Sequence, residues 1–215
     1  MNATAALQLA AAIGSAAVIA AGVVAFDWPP FTVLAFYWLE NVIVGGFTAL
    51  RILAVGARTE RYVASLAAAA FFSVHYGLFC LVHGFFVATL FGGIRALHGI
   101  ADPVLLMIGR IAGDRIGVVV VLAMVVAAAI DAWRALARTD ADGPKAIRNI
   151  MSEPYGRLMV LHVILIAGGF FVTALQLPSL AALLLVAFKL VHDLRLLRPQ
   201  AAAVPAPIAG TGRPG

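Results

Sequence analysis

Long apolar runs recur along the chain, separated by short clusters of charged, Gly and Pro residues. An apolar run of roughly 18 residues or more matches the ~20 that a helix needs to cross a ~30 Å hydrocarbon core. Six such spans are predicted: Ala5 to Phe26, Phe31 to Leu53, Val63 to Phe91, Ile116 to Ala137, Tyr155 to Gln176 and Leu180 to Leu197. Breakers agree with the partition. Asp27-Trp28-Pro29-Pro30 closes the first hairpin, Gly143-Pro144 and Glu153-Pro154 bracket the fourth loop, and Pro178 separates the last two spans. Between spans three and four, Gly92 to Arg115 carries charges around a short apolar piece, Pro103 to Ile108, too short to cross and predicted to be an amphipathic, interfacial segment. The pattern predicts an all-α polytopic fold, with residues 1–198 forming one six-span membrane domain. Residues 199–215, rich in Ala, Pro and Gly, form an expected disordered cytoplasmic tail.

Composition sharpens this picture. The 215 residues are 63% hydrophobic and 12% charged, with a mean hydropathy of +1.03. A soluble surface needs about 25% charged residues, so a soluble domain is excluded. The net charge of +5 does not imply a nucleic-acid partner, because the basic residues stand at span ends rather than in a cluster. Arg51 to Arg61 holds three Lys or Arg, Arg134 to Arg157 five and Lys189 onward four, against three on the opposite side. The positive-inside rule therefore places both termini in the cytoplasm of a bacterial inner membrane. The N-terminus lacks a basic region ahead of its long apolar run, and that run reads as a retained membrane helix. The single Cys80 excludes an intramolecular disulfide. Gly45-Gly46 and Gly168-Gly169 read as sites of close helix crossing.

The informative positions are the polar residues inside these spans. An ionisable group near a bilayer centre costs at least ~2.5 kcal/mol, so such groups face a bundle interior and find partners. Glu40 and Asn41 lie near the middle of span two, and Tyr37 shares their face at i, i+3 and i+4. Span three carries His75, Tyr76, Cys80 and His83. The two imidazoles are about 80° apart around the helix and ~12 Å apart along it, too far to share one metal easily. Either the two line one cavity, or His75 joins a central site while His83 serves the outer mouth. His162 is in span five, and Lys189, His192 and Asp193 are in span six. Hairpin neighbourhood predicts the pairs Glu40 with His75 and His162 with Asp193. Helix glue bonds and interfacial snorkelling are the bland alternatives for each of these residues.

The strings Tyr37-Trp38-Leu39-Glu40-Asn41, His75-Tyr76-Gly77 through His83-Gly84, Pro154-Tyr155-Gly156-Arg157 through His162, and Lys189 through Arg195 resemble an uncharacterised bacterial integral membrane family, known only as a domain of unknown function. The resemblance covers roughly residues 31 to 197 and implies a multi-span fold but no activity. It implies an apolar residue where His192 stands, which leaves Glu40, His75, His83, His162 and Asp193 as the candidate metal ligands. Four functions compete on these residues: a buried Zn, Fe, Mn or Cu site; a proton- or ion-coupled transporter; an accessory subunit of a membrane complex or homo-oligomer; and haem b held by His75 and His162. No HExxH or His-box spacing points to a reaction.

Overall fold

The computed structural model describes residues 20–25, 28–94, 101–139 and 143–175, together with 17, 99, 186, 187, 190 and 191. Most of the first expected span, the sixth span with Lys189, His192 and Asp193, and the tail at 199–215 lie outside the described residues. Within them the chain is helical, without strands. Helix α1 is Pro30–Arg58, α2 is Tyr62–Phe86 with a π turn at Val87–Phe91, α3 is Ala101–Gly113, α4 is Arg115–Arg138 and α5 is Gly143–Leu175. Among the described residues three segments are long and apolar enough to cross a membrane: Pro30–Arg58, Tyr62–Phe91 and Arg115–Arg138. They coincide with expected spans two, three and four. Pro29 and Pro30 start α1, where a missing N–H costs nothing. The Asp114 carboxylate caps α4 by accepting from the backbone N–H groups of Ile116 and Gly117, at 3.3 and 3.0 Å.

Helix α1 is the element around which α2, α4 and α5 pack. Against α2 the contact is an exchange of rings for missing side chains. The indole of Trp38 lies where a Cβ on Gly84 would be 2.7 Å from it, and the ring of Tyr76 lies where a Cβ on Gly45 would be 2.6 Å away. Ser65 fills the space left by Gly56, and Phe31 that left by Gly92. Gly45 is therefore a close-approach position, as its sequence context predicts, whereas a Cβ on its neighbour Gly46 would meet nothing within 4 Å.

Two apolar clusters result. One, toward the Pro30 end of α1, joins Val33, Leu34 and Trp38 to Val87, Val104 and Met107. The other, toward the Arg58 end, joins Ile52 and Val55 to Phe72, Tyr76, Ile147 and Leu158. Beyond these, the outward surface is apolar, as a bilayer solvent requires. Phe71, Val74 and Leu78 of α2 and Val119, Leu122 and Val126 of α4 are all more than half exposed.

One expectation needs correcting. The fourth loop is largely helix, because α5 begins at Gly143 and runs through Pro154. Ala146, Ile147, Ile150 and Leu158 form one buried stripe against α1, and that burial carries the helix across a proline that local propensity would place at a boundary. Glu153, expected in the loop, instead forms a two-pronged ion pair with Arg51, at 2.5 and 3.3 Å. The connection after span three carries the expected apolar piece, Pro103 to Ile108, within helix α3. Thirteen residues form α3, and Pro103, Val104 and Met107 are buried.

Gly45→Ala and Gly84→Ala are expected to lower stability by about 1–3 kcal/mol each through overpacking against the rings. Gly46→Ala, in open space, is expected to raise it slightly through helix propensity. Thermal unfolding of the detergent-purified variants, followed by circular dichroism, checks the contrast.

Candidate functional site

Polar side chains gather where α1, α2 and α5 meet. Along α1, Asn41 follows the residues of the first apolar cluster and precedes those of the second, and it is buried. Its Nδ2 donates to the Tyr37 carbonyl at 2.8 Å, while its Oδ1, also buried, has no hydrogen-bond partner among the described residues. The Tyr76 hydroxyl donates to the Asn41 carbonyl at 3.3 Å, and the Trp38 indole N–H donates to the Cys80 carbonyl at 2.7 Å. These bonds satisfy ring donors that the close crossing brings into an apolar interior, where an unmet donor costs several kcal/mol. Glu40 is half-buried on the adjacent face of α1.

One turn past Cys80, on the same buried stripe of α2, stands His83. Its Nδ1 lies 2.7 Å from the Phe79 carbonyl. A carbonyl only accepts, so Nδ1 carries the proton and the Nε2 of neutral His83 presents a bare lone pair. That Nε2 lies 3.0 Å from Nδ1 of His162 on α5, with the rings 66° apart. His83 is buried and His162 is exposed, so the pair runs from the interior to the outward side of the α2/α5 contact. The separation of the two facing nitrogens is close to the roughly 3.3 Å between two ligands at ~2.0 Å from one tetrahedral ion.

This is a different pairing from the one that hairpin neighbourhood predicts. His75 is on the outward side of α2, about 100° from Tyr76, and its ring neighbours are Phe71, Phe79 and Tyr155, none of them on α1. It therefore joins neither a central site with Glu40 nor the His83–His162 pair. His162, expected with His75 as a haem axial ligand, has its Nδ1 facing His83. Asp193 and His192 lie outside the described residues. Among the described residues no group of three His, Cys, Asp or Glu is close enough to hold a metal ion.

The signal for His83 was present in the spacing. Ser65, Ala69, Phe72, Tyr76, Cys80 and His83 recur at helical intervals along one face, and that face is buried. The Arg51–Glu153 pair was not signalled, because it depends on α5 extending through the proline.

The chain belongs to a family of unknown function (DUF6498), whose family model matches residues 2–207. Neither a curated protein nor a solved structure matches it.

The hydrogen-bond geometry fixes a testable tautomer. With histidine labelled by nitrogen-15, His83 is expected to show a protonated Nδ1 and a bare Nε2 near neutral pH. Replacing His162 with Ala should shift only the Nε2 resonance of His83 strongly, because its Nδ1 bond to Phe79 stays in place.

Proposed function

We propose that this chain is an integral membrane protein whose His83 and His162 supply two nitrogen ligands to a transition-metal ion. The observation that carries the reading is the approach of His83 Nε2 to His162 Nδ1 at 3.0 Å. Two aromatic nitrogens from different helices converge there, one of them fixed in its ligating tautomer by a backbone carbonyl, as metal-bound histidines commonly are. On this reading Asp193, from the last expected span, is the carboxylate that completes the first shell, and Glu40 acts from the neighbouring face of α1. Imidazole with carboxylate suits Zn, Fe, Mn or Cu.

A proton relay through the same pair is the other reading. The His83 N–H that would have to pass a proton inward is tied to the Phe79 carbonyl, and a carbonyl does not relay it. That geometry favours the metal.

The proposed setting is a bacterial inner membrane, crossed six times with both termini in the cytoplasm. Two features support this orientation. Arg58 donates to the Leu136 carbonyl at 3.0 Å, and Arg51 pairs with Glu153. These contacts gather the α1–α2 turn, the end of α4 and the start of α5, with their Arg and Lys residues, at one end of the bundle.

Elemental analysis of detergent-purified protein should find about one transition metal per chain, and cobalt substitution should give the visible bands of a low-coordinate site. His83→Ala and His162→Ala should each weaken metal binding by more than the roughly 10–100-fold that an outer-shell change costs. His75→Ala should leave it unchanged. Metal-free protein that also takes up no cobalt would sink the reading.

A further inference from the structure

His75 is an imidazole on the outward, apolar side of a helix long enough to cross a membrane. Its ring lies nearly parallel to Phe71, with centroids 5.5 Å apart and planes 9° apart. Phe79, one turn further on, stands almost perpendicular to it at 5.2 Å and 74°. Tyr155 of α5 closes the third side at 6.0 Å. Neither the His75 ring nitrogens nor the Tyr155 hydroxyl has a hydrogen-bond partner among the described residues. Phe79 is 43% exposed, and Met159, one turn beyond Tyr155 on α5, is 61% exposed. The corner therefore opens outward, where hydrocarbon offers no acceptor for an N–H or O–H group.

The chemistry narrows what such a corner holds. Among the described residues His75 belongs to no group of three His, Cys, Asp or Glu, which makes it a poor metal seat. Among the described residues no cation contacts these rings, which argues against a phosphate headgroup. What remains complementary is a flat, neutral, electron-poor ring with carbonyl acceptors that arrives through the bilayer. We propose that the corner formed by Phe71, His75, Phe79 and Tyr155 binds the head of a lipid-borne quinone, with the His75 N–H and the Tyr155 hydroxyl donating to its carbonyl oxygens and the phenyl rings that pack on His75 holding the imidazole in place. The isoprenoid tail lies along the outward surface past Met159. The proposal concerns binding alone, with no electron transfer. It goes beyond the metal reading, because it rests on His75 and Tyr155 and not on His83 or His162.

The test uses the full chain in phosphatidylcholine nanodiscs titrated with decylubiquinone, alongside photolabelling of the wild type with an azidoquinone. Saturable binding is expected, weakened about 10-fold by His75→Leu and several-fold by Tyr155→Phe, the worth of one hydrogen bond each. His83→Ala should retain wild-type quinone affinity while losing metal, so the two sites fail separately. The label should map to residues 71–79 and 155–159 of the wild type, a readout that stands even if a variant does not fold. Binding that rises linearly without saturation, equal affinity in His75→Leu, or label confined to other segments would overturn the proposal.

Discussion

The Trp38 indole against Gly84 and the Tyr76 ring against Gly45 set the distance and rotation of the first two long helices, and the rest of the described structure follows from that setting. Each ring occupies the volume that a side chain would take on the partner helix, so neither helix can turn or slide without a clash. Both rings also carry a polar atom, and each finds a backbone carbonyl on the opposite helix, Cys80 and Asn41. In hydrocarbon, a contact that packs tightly and leaves no donor unmet is what association can rest on, because burial of apolar surface gives no advantage there. With α2 rotated in this way, Tyr76, Cys80 and His83 face inward and His75 faces out. The choice of which histidine meets His162 is thus made by two glycines.

A second constraint acts at the opposite end of the bundle. Arg51 is nearly buried, and Glu153 is half exposed beside it. An exposed pair of this kind contributes little on its own. Here it bridges α1 to the part of α5 that precedes Pro154, and with Ile52, Val55, Ile147 and Ile150 it holds that part of α5 against α1. The register this imposes on α5 brings Tyr155 beside Tyr76 and, seven residues later, His162 beside His83. Seven residues are nearly two full turns, so Tyr155 and His162 leave α5 on the same side.

Much of the architecture was legible in the sequence, because run length and punctuation are direct readouts of a bilayer solvent. Spans two, three and four are found within a few residues of their expected ends. The candidate site was legible by residue type but not by pairing. Glu40, His75, His83 and His162 all drew attention as polar groups in apolar surroundings, yet hairpin adjacency cannot say which way a side chain points. That depends on rotation about the helix axis, and for α2 rotation was encoded in Tyr76, Cys80 and Gly84 rather than in the histidines themselves. Pro154 misled for a related reason. It is a strong local signal, and here the long-range burial of Ile147, Ile150 and Leu158 outweighs it.

Helix α4 is in a different position from its neighbours. Only Gly117 of its residues is buried, and polar contacts secure it at its two ends, through Asp114 at the start and through Arg58 reaching the Leu136 carbonyl near the finish. Its most outward apolar residues, such as Val119, Leu122 and Val126, are more than half exposed, and there the helix asks only for apolar character. The specific information that α4 carries for the fold is therefore concentrated in its two capped ends and in the partly buried stripe through Val121, Met124, Ala128 and Ala132.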